Sequence, residues 1–308
     1  MWRSVFLSLS NNGGVRHVAT RSRLARGISS RFVAGNTLEE AVAATKELNS
    51  HGISVEMDYL GESVTDRLQA EAAVRAYLEM LDGIAASGAD SQVSLKPTQM
   101  GLAIEEELCL SNIERIADKA ARYGNFVWVD IEDSPTIDRT IRIYRTLRGR
   151  YPNVGIALQS YLYRTRRDAE EILSIGGTIR LVKGAYQEPP EVAFPDKRDV
   201  DRAFRLLTEL LLCSGRFHAI ATHDERMIQH TIDFAAAHGI SREGFEFQML
   251  YGVRRDLQER LISDGYRLRL YVPYGEQWYP YFMRRLAERP ANLVFLLGNV
   301  ARELLPVH

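Results

Sequence analysis

Short runs rich in β-branched and aromatic residues recur along the chain at intervals of roughly 22 to 38 residues, each followed by a segment of helical period. The runs are ISVEMD (53–58), QVSLKP (92–97), NFVWVD (125–130), VGIALQ (154–159), TIRLVK (178–183), FHAIAT (217–222), GFEFQM (244–249) and YRLRLYV (266–272), eight in all. Between them, TDRLQAEAAVRAYLEMLDGI (65–84), EEELCLSNIERIADKAARYG (105–124) and DVDRAFRLLTELLLCSG (199–215) place apolar residues on one helical stripe, and two of them end at glycine. Eight βα units without a break predict the α/β class, a closed parallel (β/α)8 TIM-like barrel rather than an open doubly wound sheet. Ahead of the first run, NTLEEAVAATKELNSHG predicts an extra helix capping the bottom or flank. The domain reading is a basic N-terminal helical extension over 1–50 and one barrel over 51–308.

At 45% apolar and 26% charged residues, the 308-residue chain can bury a large core, and its net charge of −1 sets up no global field toward nucleic acid. The charge is unevenly spread: the first 38 residues carry six arginines and no acid, which leaves −7 for the remainder. That basic, serine-containing start fits a mitochondrial presequence, a segment docking on anionic lipid, or a solvated basic helix. No apolar stretch of 18 residues occurs, so no membrane span is predicted. Cys109 and Cys213 lie far apart in helical patterns and point to a reducing compartment; the seven histidines lack ligand spacing, and no metal site is expected.

In a barrel of this kind the reactive face lies at the C-terminal ends of the strands. There the sequence places Lys96, Asp130, Gln159, Lys183, His223 and Tyr271 on one rim, where charges are costly to desolvate unless partners or a ligand compensate. Strand alternation puts Ser94 with Lys96 on one face and Trp128 with Asp130 on another; if both faces point inward, Lys96 and Asp130 are neighbours able to pair. Arg180, flanked by Ile179 and Leu181 in a strand buried on both sides, needs an electron-rich partner, either a carboxylate at the barrel floor or a bound ligand. After it, Gly184 lets a ligand approach the backbone closely and Lys183 is placed to meet a phosphate.

Beyond the eighth run, YFMRRLAERP (281–290) sets Tyr281, Arg284, Arg285 and Glu288 on one helical stripe, with Met283, Leu286 and Ala287 facing the other way. The loop VPYGEQWYP (272–280) would carry that helix over the barrel mouth. Two guanidinium groups held above Lys96 and Asp130 would grip a small carboxylate through charge-assisted hydrogen bonds.

Seven ordered motifs, VSLKPTQMG, VDIEDS, IRLVKGAYQEP, ATHD, FEFQMLYGVR, LYVPYG and YFMRRLAERPAN, resemble those of the proline dehydrogenase family over residues 31 to 297. The chain, without an aldehyde dehydrogenase half, is similar to the monofunctional bacterial branch. The resemblance implies a distorted barrel with FAD across the C-terminal rim; the GxGxxG nucleotide fingerprint is absent, so the cofactor rests on the resemblance. By motif, Arg180 would lie near flavin N5, with Val182, Lys183, Gly184 and Ala185 along the isoalloxazine or pyrophosphate. Ile131, Gln159, Lys197, Thr222 and His223 would add contacts to the flavin and its tail, and Glu288 would sit near the adenosine. Lys96, Arg284 and Arg285 match the residues that hold the proline carboxylate, Leu250, Tyr271 and Tyr281 the walls around the ring, and Asp130 the carboxylate that orients Lys96 or Arg285.

The implied activity is oxidation of L-proline to Δ1-pyrroline-5-carboxylate by hydride transfer to flavin N5, with Asp130 and Arg180 at the reacting centre. A cation-rich site would help the substrate ammonium lose its proton, and Arg180 would stabilise negative charge on the reduced flavin. Electrons would pass to a membrane quinone, with the basic N-terminus against anionic lipid, and the product to a separate pyrroline-5-carboxylate dehydrogenase. The expected location is cytoplasmic and peripheral on the inner face of the plasma membrane, or the mitochondrial matrix side in a eukaryote. A homo-oligomer is compatible with the sequence, and no nucleic-acid partner is expected. Three rivals stay open: hydroxyproline dehydrogenase, which differs by small side-chain choices; a Schiff-base aldolase built on Lys96 or Lys183; and a barrel that binds an amino acid without turnover.

Overall fold

A computed structural model of the chain describes residues 31–288, with side chains as far as Met283. Its strands close into a parallel barrel in sequence order: β1 Ser54–Tyr59, β2 Ser91–Leu95, β3 Val127–Val129, β4 Val154–Gln159, β5 Thr178–Val182, β6 His218–Ala221, β7 Phe245–Leu250 and β8 Leu268–Tyr274. Helix α1 Leu38–Ser50 precedes β1. Each strand is then followed by its helix: α2 Arg67–Ser87, α3 Glu106–Arg122, α4 Ile137–Arg148, α5 Thr165–Ser174, α6 Lys197–Leu212, α7 Glu225–Ala237, α8 Arg255–Ser263 and α9 Trp278–Glu288.

Alternation along the strands separates two kinds of interior. Val55, Met57, Val93, Leu95, Ile179 and Leu181 turn outward beneath the helices and form the aliphatic core. The residues between them, Glu56, Asp58, Ser94 and Arg180, together with Glu246, Gln248 and Arg269, turn toward the barrel axis and are as deeply buried. The strand cylinder is therefore filled largely by a hydrogen-bonded charge network, and the main aliphatic core lies in the layer between sheet and helices.

Strand β8 runs to Tyr274, beyond the extent its sequence pattern suggested, so Tyr271 sits inside the strand rather than at its end. Pro273 marks a strand boundary by composition, because it cannot donate to a ladder. Here pairing with β7 stops at Leu250 and Tyr271, while β1 continues alongside as far as Tyr59 and Tyr274. On the side that β7 leaves open, the Ala34 N–H donates to the Pro273 carbonyl at 2.9 Å and the Gly275 N–H to the Gly35 carbonyl at 2.9 Å.

Helix α1 starts at a capping box: Thr37 Oγ1 accepts from the Glu40 N–H at 3.3 Å, and Glu40 Oε2 accepts from the Thr37 N–H at 3.3 Å. It packs on the flank against β1, β8 and α2, the position the helix after β8 fills in a regular barrel. That helix, α9, instead lies at the mouth, in a second apolar cluster that contains Trp278, Tyr281 and Phe282. Of the expected N-terminal extension, residues 1–30 lie outside the described residues, whereas 31–50 pack as part of the barrel.

Trp128 fills the axis beside β4 because Gly155, its register partner, has no side chain. A Cβ there would lie 2.6 Å from the indole and 2.9 Å from Phe126. Gly155→Ala is expected to destabilise the fold by about 1–3 kcal/mol, read as a lower urea midpoint at unchanged m-value; an unshifted midpoint would mean that the indole can move aside.

Candidate active site

The site is built on a line of alternating charges across the barrel: Asp58, Lys96, Asp130, Arg180 and Glu56. Lys96 Nζ lies 3.1 Å from Asp58 Oδ2 and 3.8 Å from Asp130 Oδ2, and donates to the Tyr271 hydroxyl at 3.1 Å. Arg180 pairs with both Glu56 and Asp130. Its Nη2 donates to Ser94 Oγ at 3.0 Å, Ser94 in turn donates to Asp130 at 3.1 Å, and the guanidinium carbon stands 5.1 Å from the centre of the Trp128 ring. Beneath it, Gln248 bridges toward Glu246, which accepts from Gln248 Nε2 at 2.7 Å and from Arg269 Nε at 2.9 Å.

These contacts resolve the question Arg180 raised: its partners are carboxylates, one deep and one at the rim. The Lys96–Asp130 pair exists, but Asp58 is the nearer partner of Lys96, and Asp130 serves Arg180 first. Burial works against the Lys96 ammonium, but Asp58 and Asp130 outweigh it and raise its pKa. Burial also lifts the Tyr271 hydroxyl well above its ordinary range, so it stays protonated. Among the described residues this line holds three carboxylates around two cations, so the cation excess expected at the mouth is not found in it.

Above this network opens a cavity of about 760 Å³ at the C-terminal rim, within the usual range for small-molecule sites. Every expected site residue whose side chain is described lines it: Lys96, Asp130, Ile131, Gln159, Arg180, Val182, Lys183, Gly184, Ala185, Lys197, Thr222, His223, Leu250, Tyr271 and Tyr281. Arg284, Arg285 and Glu288 belong to α9, and their side chains lie outside the described residues.

At the β5–β6 side, Lys183 bridges Asp201 at 2.5 Å and Asp224 at 2.8 Å, Lys197 reaches Asp201 at 2.6 Å, and Arg226 joins both acids. Burial pushes the Asp224 carboxyl up, yet Arg226 and Lys183 outweigh it and hold it well below the usual carboxylate range. Among the described residues, Lys183, Lys197, Arg226 and Arg254 stand here against Asp201, Asp224 and Glu225, which leaves this end positive by one charge. Gly184 adopts φ +120°, and a Cβ there would lie 2.3 Å from the Tyr161 ring, so only glycine lets the loop pass. His223 Nε2 accepts from the Leu250 N–H at 2.8 Å, which fixes the ring against the end of β7. Small side chains (Ala157, Ala221), a positive end, and Arg180 at the centre suit a flat cofactor with an anionic tail.

Sequence reasoning passed over Glu56, Asp58 and Glu132. The Glu132 carboxylate accepts from the Thr98 N–H at 2.9 Å and Thr98 Oγ1 at 2.7 Å, and its carbonyl accepts from Gln159 Nε2 at 2.8 Å, tying the loop after Lys96 to β4. A charged lysine is no Schiff-base nucleophile, and Lys96 and Lys183 are each locked between carboxylates, which argues against the aldolase.

A barrel with a charged, ligand-sized cavity at the carboxyl ends of its strands belongs to the (β/α)8 enzymes. The Proline dehydrogenase family pattern matches residues 41–297. Proline dehydrogenase 1 of Bacillus subtilis subsp. natto is 42% identical over 303 residues, covering 98% of this chain and 100% of the relative. Proline dehydrogenase of Deinococcus radiodurans is 40% identical over 307 residues, covering 98% of each. The chain belongs to the proline dehydrogenase family and is an oxidoreductase. In three dimensions it resembles crystalline proline utilization A from Bdellovibrio bacteriovorus, with a TM-score of 0.83 at 23% identity; the match covers all of this chain and 40% of that longer one, and shows the shared fold.

Burial pushes the Glu132 carboxyl from 4.5 up to about 7, against the two hydrogen bonds from Thr98. Between those pH values the fold keeps a proton that the unfolded chain has released, so stability falls as pH rises through the window. Relative to Glu132→Gln, the wild-type protein is expected to lose about 3 kcal/mol across it. Urea midpoints at the two pH values measure this, and parallel profiles for both proteins would place the carboxyl ionised within the fold.

Proposed function

We propose that the cavity binds FAD and L-proline together and that the protein oxidises proline to Δ1-pyrroline-5-carboxylate, the first step of proline breakdown. The supporting observation is that Lys96 and Arg180 stand in one ligand-sized cavity as cations fixed by buried carboxylates, in a chain of the proline dehydrogenase family. FAD, when bound, supplies the hydride acceptor. Its tail is assigned to the positive end formed by Lys183, Lys197 and Arg226, and its ring system to Ile131, Gln159, Val182, Gly184, Ala185, Thr222 and His223, with Arg180 facing the reacting edge and Glu288 toward the adenosine.

Lys96 presents a charge that cannot swing away, because Asp58 and Asp130 hold it, and it takes one side of the substrate carboxylate. Arg284 and Arg285 on α9 are assigned to the other side. Leu250, Tyr271 and Tyr281 wall the ring and exclude water. Proline must release its ammonium proton to water before hydride leaves, and Arg284 and Arg285, added to Lys96 and Arg180, set four cations against the three carboxylates of the line, which favours that loss. Asp130 positions Arg180 and Lys96 at once, which couples the cofactor half of the site to the substrate half.

Among the described residues no helix is long and apolar enough to cross a membrane. In this reading electrons leave to a membrane quinone, with residues 1–50 including the basic segment that contacts anionic lipid on the inner face of the plasma membrane, and the product passes to a separate pyrroline-5-carboxylate dehydrogenase.

The purified protein is expected to show a visible flavin band that anaerobic L-proline bleaches; a colourless protein after reconstitution with FAD, or a band that proline leaves intact, would overturn the assignment. Lys96→Met, Arg284→Met and Arg285→Met are each expected to raise the KM for proline about 10- to 100-fold with flavin content unchanged, as a lost charge-assisted carboxylate contact requires. Steady-state kinetics reads this, and a wild-type KM removes that residue from the clamp.

A further inference from the structure

Residues 31–35 cross the barrel mouth as a strap, a turn at Arg31 and Phe32 followed by irregular chain, and their contacts converge on the cavity end assigned to substrate. The strap's Phe32 and Val33 are buried at 3% and 4% exposure in the second apolar cluster, with Trp278, Phe282 and Met283 of α9. Phe32 lies 6.2 Å from the Phe282 ring, and Phe282 lies 5.9 Å from Trp278 in an edge-to-face contact. Leu250 and Tyr271 pack against the same cluster, and Tyr281 is a member of it. The three assigned ring walls thus share one apolar body with the strap.

The strap is held independently of that packing. Its backbone bonds to Pro273 of β8 through Ala34 and to Gly275, just past β8, through Gly35. On the other side it passes against Gly252, in the loop after β7, where φ is +72° and a Cβ would stand 1.8 Å from the Arg31 carbonyl oxygen. No other residue fits, which gives the glycine of the FEFQMLYGVR motif a role that proline chemistry alone does not. Helix α9 lacks the flank seat of its counterparts, since α1 occupies that place.

We propose that the strap is the positioning element of the substrate end: Phe32 is the wedge that seats α9, and with it Tyr281 and the turn bearing Arg284 and Arg285, over Lys96, and Gly252 is the gap through which the strap passes. The inference rests on the assignment of that end to proline. Phe32 touches neither substrate nor cofactor and acts through α9.

The test uses full-length flavin-loaded enzyme with L-proline and L-prolinamide, which lacks the carboxylate charge. Phe32→Ala and Gly252→Ala, remote in sequence, are expected to give one phenotype: proline KM up about 10-fold, kcat within about twofold, and the preference for proline over prolinamide reduced by a similar factor. Flavin content stays at the wild-type value, and Trp278 emission, isolated as the difference from the same proteins carrying Trp278→Phe, moves to the red. Phe32→Leu, which restores apolar volume, is expected to recover most of the proline KM and remains usable if the alanine variants fold poorly. An unchanged KM and preference in both alanine variants overturns the proposal, as does a parallel loss of kcat, KM and flavin content with no change in preference, the mark of general unfolding. If wild-type enzyme does not oxidise proline, the functional assignment fails by itself. Trp278 emission then still reads the seating of α9, and an unmoved spectrum in both variants refutes it.

Discussion

The guanidinium of Arg180, buried at 4% exposure between Glu56 and Asp130, is the interaction on which the rest of the barrel depends. An unpaired charge there would cost several kcal/mol, and removing one partner from a buried pair typically costs about 3–5 kcal/mol. The barrel axis consequently cannot be aliphatic. Ser94 and Gln248 supply further polar contacts, Glu246 and Arg269 extend them downward, and Lys96 with Asp58 extends them to the mouth. A pair of this kind adds little net stability compared with apolar packing; its effect is to fix cations at defined places before any ligand arrives, which is what oriented binding requires.

The same arrangement divides the cavity. One end is positive and open, shaped by Gly184 and by the group of Lys183, just past β5, Lys197 on α6 and Arg226 on α7. The other is aromatic and closed, shaped by Tyr271, Tyr281 and the apolar cluster behind them. Asp130 stands between the two and touches the central residue of each, Arg180 by direct pairing and Lys96 at 3.8 Å. In the proposed reading, cofactor and substrate take the opposite sides of this one carboxylate.

Much of this was legible in the chain. Short β-rich runs, each followed by a helical pattern, located all eight strands, and the motifs around Lys96, Asp130 and Arg180 marked residues that meet in the cavity. What escaped notice did so for physical reasons. Glu56 and Asp58 alternate with Val55 and Met57 just as Arg180 alternates with Ile179 and Leu181, but acids near a strand end read as ordinary solvent-facing residues until a basic partner far along the chain is brought beside them. Glu132 stands next to Asp130, yet its task is to accept hydrogen bonds from Thr98, a contact set by the meeting of two loops. The extent of β8 depended on where its neighbours end, not on its own composition. Phe32 and Val33 follow a run of arginines and look like the close of a basic tail, whereas the fold spends them on an apolar cluster.

The exchange of helices at the flank has a consequence for how the molecule is made. Since α1 fills the berth beside β1 and β8, and the strap meets a loop 221 positions away, the aromatic end draws together the earliest and latest described parts of the polypeptide. Contacts of such long sequence separation form late, after much loop entropy has been lost. Closing the aromatic end therefore waits for the whole polypeptide, whereas the group of Lys183, Lys197 and Arg226 joins segments that lie close together in sequence.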